Sequence, residues 1–145
     1  MTARNGSADW HGDVKNGLGN LTVGKGVFQG AYSYGTRFGE DPGTNPEQLI
    51  AAAQAACFTM ALSALLSAAG HARQSLRTNA LVHMRNIAGA PTLSRLDTET
   101  EGNVPGVDAQ EFQQYAEQAK VNCPVARALA GIPEIVLTVR LAAGA

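Results

Sequence analysis

Two cysteines, Cys57 and Cys123, stand in a chain of 145 residues, and they are the side chains best able to act as nucleophiles. The thiolate, not the thiol, attacks, so what matters is how each sulfur could be kept anionic. Cys123 precedes Pro124 at the start of an expected short helix, where unpaired N–H groups and the helix dipole favour a thiolate, so its pKa is expected to fall. Cys57 lies about three turns inside an expected long helix, where the dipole has faded and apolar neighbours disfavour charge. A cation must reach it from elsewhere. Arg37 is the natural supplier, since a guanidinium stays charged, is less strongly hydrated than an ammonium and holds its donors in a fixed fork. Glu47 could anchor that fork through a charge-assisted bidentate pair, aiming it at a thiolate and at negative charge that develops on a substrate. Glu47 and Cys57 are ten positions apart on one helix, hence about 15 Å along its axis. They cannot readily serve one site within a single chain, so Arg37 and Glu47 of one subunit are expected to complete the Cys57 site of the other, in a two-fold dimer with the long helices packed together.

Each residue also has a plainer reading. A cysteine in an alanine-rich helix is often a small buried hydrophobe, and Arg37 and Glu47 taken singly are ordinary surface charges. His11, His71 and His83 show no spacing with one another or with cysteine that suggests a metal site, and His83 could lie on a strand face.

The elements that must position these groups are legible in outline. Residues 8–34 are punctuated by glycine and carry short alternating pieces such as Leu21-Thr22-Val23 and Val27-Phe28-Gln29, which predicts a strand meander. Residues 35–44 are expected to be a loop holding Arg37, Glu40 and Asp41. The run Thr44-Asn45-Pro46-Glu47 offers a capping side chain, a proline at the first helical position and an early glutamate; Gly70 offers a stop, so a helix of roughly 36 Å is expected over 46–69. Residues 79–101 read as a hairpin turning at Gly89-Ala90-Pro91. Asp108-Ala109-Gln110-Glu111 matches a capping box, with Phe112, Tyr115, Ala116 and Ala119 at helical spacing behind it. A closing strand follows at 135–141. Strands, long helix, strands, helix and strand in that order argue a single α+β domain, 1–145, with strand meander and hairpins around a long central helix.

Bulk properties narrow the function. A net charge of −1 and a pI near 6.3 give no basic stripe to neutralise phosphates, so nucleic acid is a poor partner. The N-terminal residues lack the charged-then-apolar layout of a secretory leader, which points to the cytoplasm, where two cysteines would pair only transiently. Residues 49–70 carry no charge and could span a bilayer by length, but alanine, Gln54, Thr59, Ser63 and Ser67 dilute the stretch and no interfacial Trp or Tyr brackets it. A core or dimer helix is expected instead, with no membrane partner.

Several stretches together resemble the OsmC/Ohr family of peroxidases, in its OsmC (osmotically inducible protein C) branch. They are Trp10-His11-Gly12-Asp13, Thr36-Arg37-Phe38, Gly43-Thr44-Asn45-Pro46-Glu47-Gln48-Leu49-Ile50, Ala55-Ala56-Cys57-Phe58-Thr59-Met60-Ala61-Leu62-Ser63, Val104-Pro105-Gly106-Val107-Asp108 and Ala119-Lys120-Val121-Asn122-Cys123-Pro124-Val125, which together reach over nearly the whole chain. The resemblance implies a two-layered α+β fold, an intertwined homodimer with active sites at the subunit interface, and a place in oxidative and osmotic stress responses. It further implies reduction of organic hydroperoxides, and of hydrogen peroxide less well, without haem, flavin or metal. On the matching positions Cys57 is the peroxidatic and Cys123 the resolving cysteine, activated by Arg37 and Glu47, with a lipoylated protein or other dithiol as reductant. Gln54 and Thr59 depart from the histidine and serine that relatives often carry there. A redox-sensing or ligand-binding module using the same cysteine pair without sustained turnover is the rival expectation. Phe58, Met60, Phe38 and Tyr34 are candidate walls of a substrate pocket.

Overall fold

The computed structural model describes residues 1–142. The chain forms two compact units, Met1–Leu49 and Ile50–Ala145. In the first, strands β1 (Gly6–His11), β2 (Leu18–Val23) and β3 (Phe28–Tyr32) form an antiparallel meander in that order. Gly19 is what lets its aromatic side chains lie across the sheet: a Cβ there would come within 2.6 Å of the Tyr32 ring and 2.8 Å of the Trp10 ring.

After β3 the expected loop is in part a helix, α1 (Tyr34–Phe38), and this corrects the sequence reading. Ser33 caps it: its Oγ accepts from the Thr36 N–H at 3.2 Å, while the Thr36 Oγ1 accepts from the Ser33 N–H at 2.9 Å. Threonine in place of the usual Glu or Gln at the third position hides this capping box from a search for the common form. Arg37 therefore sits on one turn of helix rather than on a free loop.

Helix α2 (Pro46–Ala68) begins where the sequence signals put it, with Asn45 Oδ1 accepting from the Gln48 N–H at 2.8 Å. It is long and apolar enough to cross a membrane by length and composition. In the second unit its Phe58, Leu62 and Leu66 enter a core completed by Val104, Val107, Phe112, Ala116, Ala119 and Cys123, which is the packing of a core helix.

The second sheet has the order β4 (Ser75–Ile87), β5 (Ala90–Asn103), β6 (Glu134–Leu141), antiparallel and then parallel. The hairpin turns at Ala88 and Gly89, both at positive φ (53° and 85°), one residue earlier than expected. A two-residue turn of that hand matches strand twist, and Gly89 adopts it without a Cβ clash. Because β5 and β6 run parallel, a crossover must join them. Helices α3 (Ala109–Asn122) and α4 (Pro124–Ala128) form it. The reciprocal cap expected at Asp108 is present, with Asp108 Oδ1 accepting from the Glu111 N–H at 2.9 Å.

Candidate active site

The first unit assembles an anchored guanidinium. Arg37 donates from Nε at 3.0 Å and from Nη2 at 2.9 Å, both to Glu47 Oε1. The expected fork-to-fork pairing is thus replaced by a two-donor clasp on one oxygen, and Glu47 Oε2 is buried without a partner. The Glu47 side chain is only 12% exposed while Arg37 is 40% exposed, so the carboxylate is the fixed partner and the guanidinium the one that solvent reaches. The Arg37 guanidinium also lies 5.4 Å from the centre of the Phe38 ring, a cation–π contact that restrains its plane. Among the described residues, Nη1 has no protein acceptor.

The second unit assembles the thiols. Cys123 follows Phe112, Ala116 and Ala119 on the buried stripe of α3 and is itself wholly buried. Cys57 is half-buried and packs against that same core, and both thiols are free. Hydroxyl and amide contacts on either side of Cys57 fix the helix to the sheet: Gln54 Nε2 donates to Thr98 Oγ1 at 3.2 Å, and Thr59 Oγ1 donates to Thr78 Oγ1 at 2.7 Å. Thr78 and Thr100 continue that chain at 3.0 Å from directly opposed positions on β4 and β5. Thr78, Thr98 and Thr100 did not stand out in the sequence, because a hydroxyl ladder depends on strand register that spacing alone does not reveal.

The expected fall in the Cys123 pKa is overturned. Its sulfur does cap α4, accepting from the Ala126 N–H at 3.4 Å. Burial, however, pushes the thiol above its usual value, a hydrogen bond with Cys57 pushes it the same way, and the Ala126 N–H only partly opposes them. One turn of helix is too short for its dipole to outweigh removal from water. Cys123 is therefore placed to remain protonated in the same core that Cys57 packs against.

The remaining candidates sort simply. Phe58 is fully buried core and Met60 is 77% exposed, whereas Tyr34 and Phe38 stand partly exposed beside Arg37. His83 lies on the strand face and pairs with Asp97 at 2.7 Å. Among the described residues there is no cluster of histidine, cysteine and carboxylate side chains able to hold a metal.

Known proteins share this chain's pattern. The family of OsmC-like proteins matches residues 39–138. Peroxiredoxin OsmC of Escherichia coli (strain K12) is 41% identical over 127 residues, 87% of this chain and 89% of that protein. The organic hydroperoxide resistance protein of Xanthomonas axonopodis pv. citri is 34% identical over 99 residues, 66% of each chain. In three dimensions, the crystal structure of an organic hydroperoxide resistance protein from Elizabethkingia anophelis superposes with a TM-score of 0.69 and 28% identity over 97% of both chains. A family match over more than half of the chain and a relative this similar over most of its length establish that the chain belongs to the OsmC family.

Proposed function

We propose that the protein is a thiol-dependent peroxidase that reduces organic hydroperoxides, and hydrogen peroxide less well, through Cys57 and Cys123. The observation that carries the reading is the pair of free thiols in one core, the inner one kept protonated by burial and the outer one half-buried. The relatives named peroxiredoxin and organic hydroperoxide resistance protein support the activity.

In this scheme the Cys57 thiolate attacks the distal oxygen of the hydroperoxide. The O–O bond breaks, the S–O bond forms, and the departing alkoxide takes up the proton that the thiol gave, leaving alcohol and a sulfenic acid. Arg37, clasped by Glu47, supports the thiolate before attack and the negative charge that builds on the peroxide oxygens during it. Cys123 then condenses with the sulfenic acid, releasing water and closing a disulfide before further oxidation. An external dithiol, such as a lipoylated protein, reopens that bond by exchange and is itself oxidised. The electron balance closes with no haem, flavin or metal. A cycle that ends on an external thiol suits a reducing compartment, and we place it in the cytoplasm.

A homodimer is part of the proposal, with Arg37 and Glu47 of one subunit serving Cys57 of the other. Two features support it. Helix α2 leaves Ala53, Ala56, Met60 and Ala64 exposed at helical spacing, a small-residue face suited to close approach by a second helix. The first unit buries Leu21 alone among its large apolar side chains and, apart from the side chains beside Arg37, leaves Leu18, Val27 and Phe28 exposed.

The test is sustained consumption of cumene hydroperoxide with a dithiol supplied, following mass as the protein is diluted. Loss of turnover in Cys57→Ser, and of dimer and activity together on dilution, is expected. Normal steady-state turnover in Cys57→Ser would rule out the scheme, and a fully active monomer the shared site.

A further inference from the structure

We infer that Trp10, Tyr32, Tyr34 and Phe38 form an aryl-binding subsite beside Arg37 that selects hydroperoxides carrying an aromatic group. The inference rests on the peroxidase reading for its chemistry and on separate geometry for its location. An open cleft of about 250 Å³ in the first unit is lined by these four side chains, Val14, Ser33 and Arg37. A closed apolar cavity of about 150 Å³ accepts benzene, so this cleft has volume for a phenyl ring with a branched carbon attached, its outer side open to solvent.

Its walls are two aromatic pairs. Trp10 and Tyr32 have ring centres 5.3 Å apart at 53°, and Tyr34 and Phe38 have centres 4.9 Å apart at 45°. Tilted pairs of this kind present both ring faces and ring edges, the two surfaces to which a third aromatic ring adds favourably. The Trp10 ring is held by its own polar end, with Nε1 donating to Gly12 O at 3.1 Å and Asp13 O at 3.3 Å. Space for it is kept by Gly17, where a Cβ would stand 2.7 Å from that nitrogen. Tyr32 is fixed in turn by its hydroxyl, which donates to Asp9 O at 3.2 Å.

Tyr34 and Phe38, by contrast, are 41% and 44% exposed. They occupy the ends of the same single-turn helix that carries Arg37. Wherever the guanidinium meets a peroxide, the aromatic walls travel with it. A substrate whose oxygens face Arg37 therefore has its organic group among these rings. Hydrogen peroxide has no such group, and a tert-butyl group cannot stack. Aryl hydroperoxides should then be favoured over compact alkyl ones, with Tyr34 and Phe38 as specificity-determining residues.

Trp10 is the chain's only tryptophan, so its fluorescence reports occupancy without any turnover. The experiment titrates the intact protein with 2-phenyl-2-propanol, the alcohol left by cumene hydroperoxide, and separately with tert-butanol. It then measures kcat/KM for cumene hydroperoxide, tert-butyl hydroperoxide and hydrogen peroxide in the wild type, Tyr34→Leu and Phe38→Leu. A saturable Trp10 response to the aryl alcohol is expected, at least about tenfold tighter than to tert-butanol, the factor that a lost ring contact of about 1.4 kcal/mol produces. The cumene-to-hydrogen-peroxide ratio should fall about tenfold in each variant. A saturable aryl-selective response in a protein without peroxidase activity would sink the peroxidase reading and keep the subsite. Peroxidase activity with no Trp10 response, or with all three substrates slowed equally by the substitutions, would overturn the subsite.

Discussion

Replacing Cys123 tests the site through stability and chemistry at once. The side chain is wholly buried and its sulfur caps α4 through the Ala126 N–H. Cys123→Ala removes one buried apolar atom, at about 1 kcal/mol, leaves a small void, and strips the cap from the amide at a further cost of about 0.5–1 kcal/mol. The expected loss is about 2 kcal/mol, or about 6 °C in Tm for a chain of this length. Cys123→Ser should recover part of it, because a hydroxyl at the cap accepts from the same amide. Thermal melts of all three proteins in excess reductant, which keeps both thiols free, provide the comparison. The pH dependence has a definite sign. Burial raises the folded-state pKa of Cys123 above its unfolded value, so its contribution is complete below about pH 8.5 and is lost as the pH rises through the folded value. The deficit of the alanine variant should therefore shrink in alkali. Cys123→Ser should also consume about one equivalent of cumene hydroperoxide per chain and then over-oxidise at Cys57. An alanine variant melting within 1 °C of the wild type, or a serine variant less stable than alanine, would refute the cap and burial argument.

Glu47→Gln keeps the shape of the anchor and removes its charge. Arg37 is substantially exposed, so stability should change by less than about 1 kcal/mol, while kcat/KM should fall about 10–100-fold because a guanidinium displaced by about 1 Å no longer meets the reacting oxygens; steady-state kinetics beside a thermal melt separate the two effects. Asp97→Asn addresses the other charged cluster, where His83 reaches Asp97 at 2.7 Å and Arg95 at 2.8 Å. Burial alone would raise the Asp97 pKa, but those hydrogen bonds outweigh it and hold the carboxyl low. Its contribution, about 1 kcal/mol once screening at the half-exposed partners is allowed for, is present above about pH 4 and lost as the pH falls through the folded value. Urea unfolding of both proteins at pH 7 and pH 3 should show the gap closing in acid.

The helices were legible because their ends carry local chemistry: Asn45 with Gln48, and Asp108 with Glu111, act through residues three apart in sequence. The cap at Ser33 obeys the same rule with an unusual partner, and α1 was missed for that reason alone. Arg37 and Glu47 could be paired in advance because an arginine near an apolar site needs a counter-charge. Their clasp through a single oxygen could not, since it depends on where α1 ends relative to the start of α2. Cys123 illustrates the wider limit. Its place at a helix start is written in Cys123-Pro124, but its burial comes from Phe112, Ala116 and Ala119 turning it inward, and burial decided the direction of its pKa. The aromatic walls around Arg37 were half visible. Tyr34 and Phe38 adjoin it in sequence, while Trp10 and Tyr32 arrive by strand pairing across Gly19.

The central claim is that Arg37 keeps the Cys57 sulfur reactive, and alkylation measures it directly. In a Cys123→Ser background, where Cys57 is the single thiol, iodoacetamide should modify Cys57 rapidly at pH 7, and adding Arg37→Gln should slow that rate about tenfold or more, as loss of an opposite charge at close range requires. Equal alkylation rates with and without the arginine, in protein of the same oligomeric state, would contradict the account.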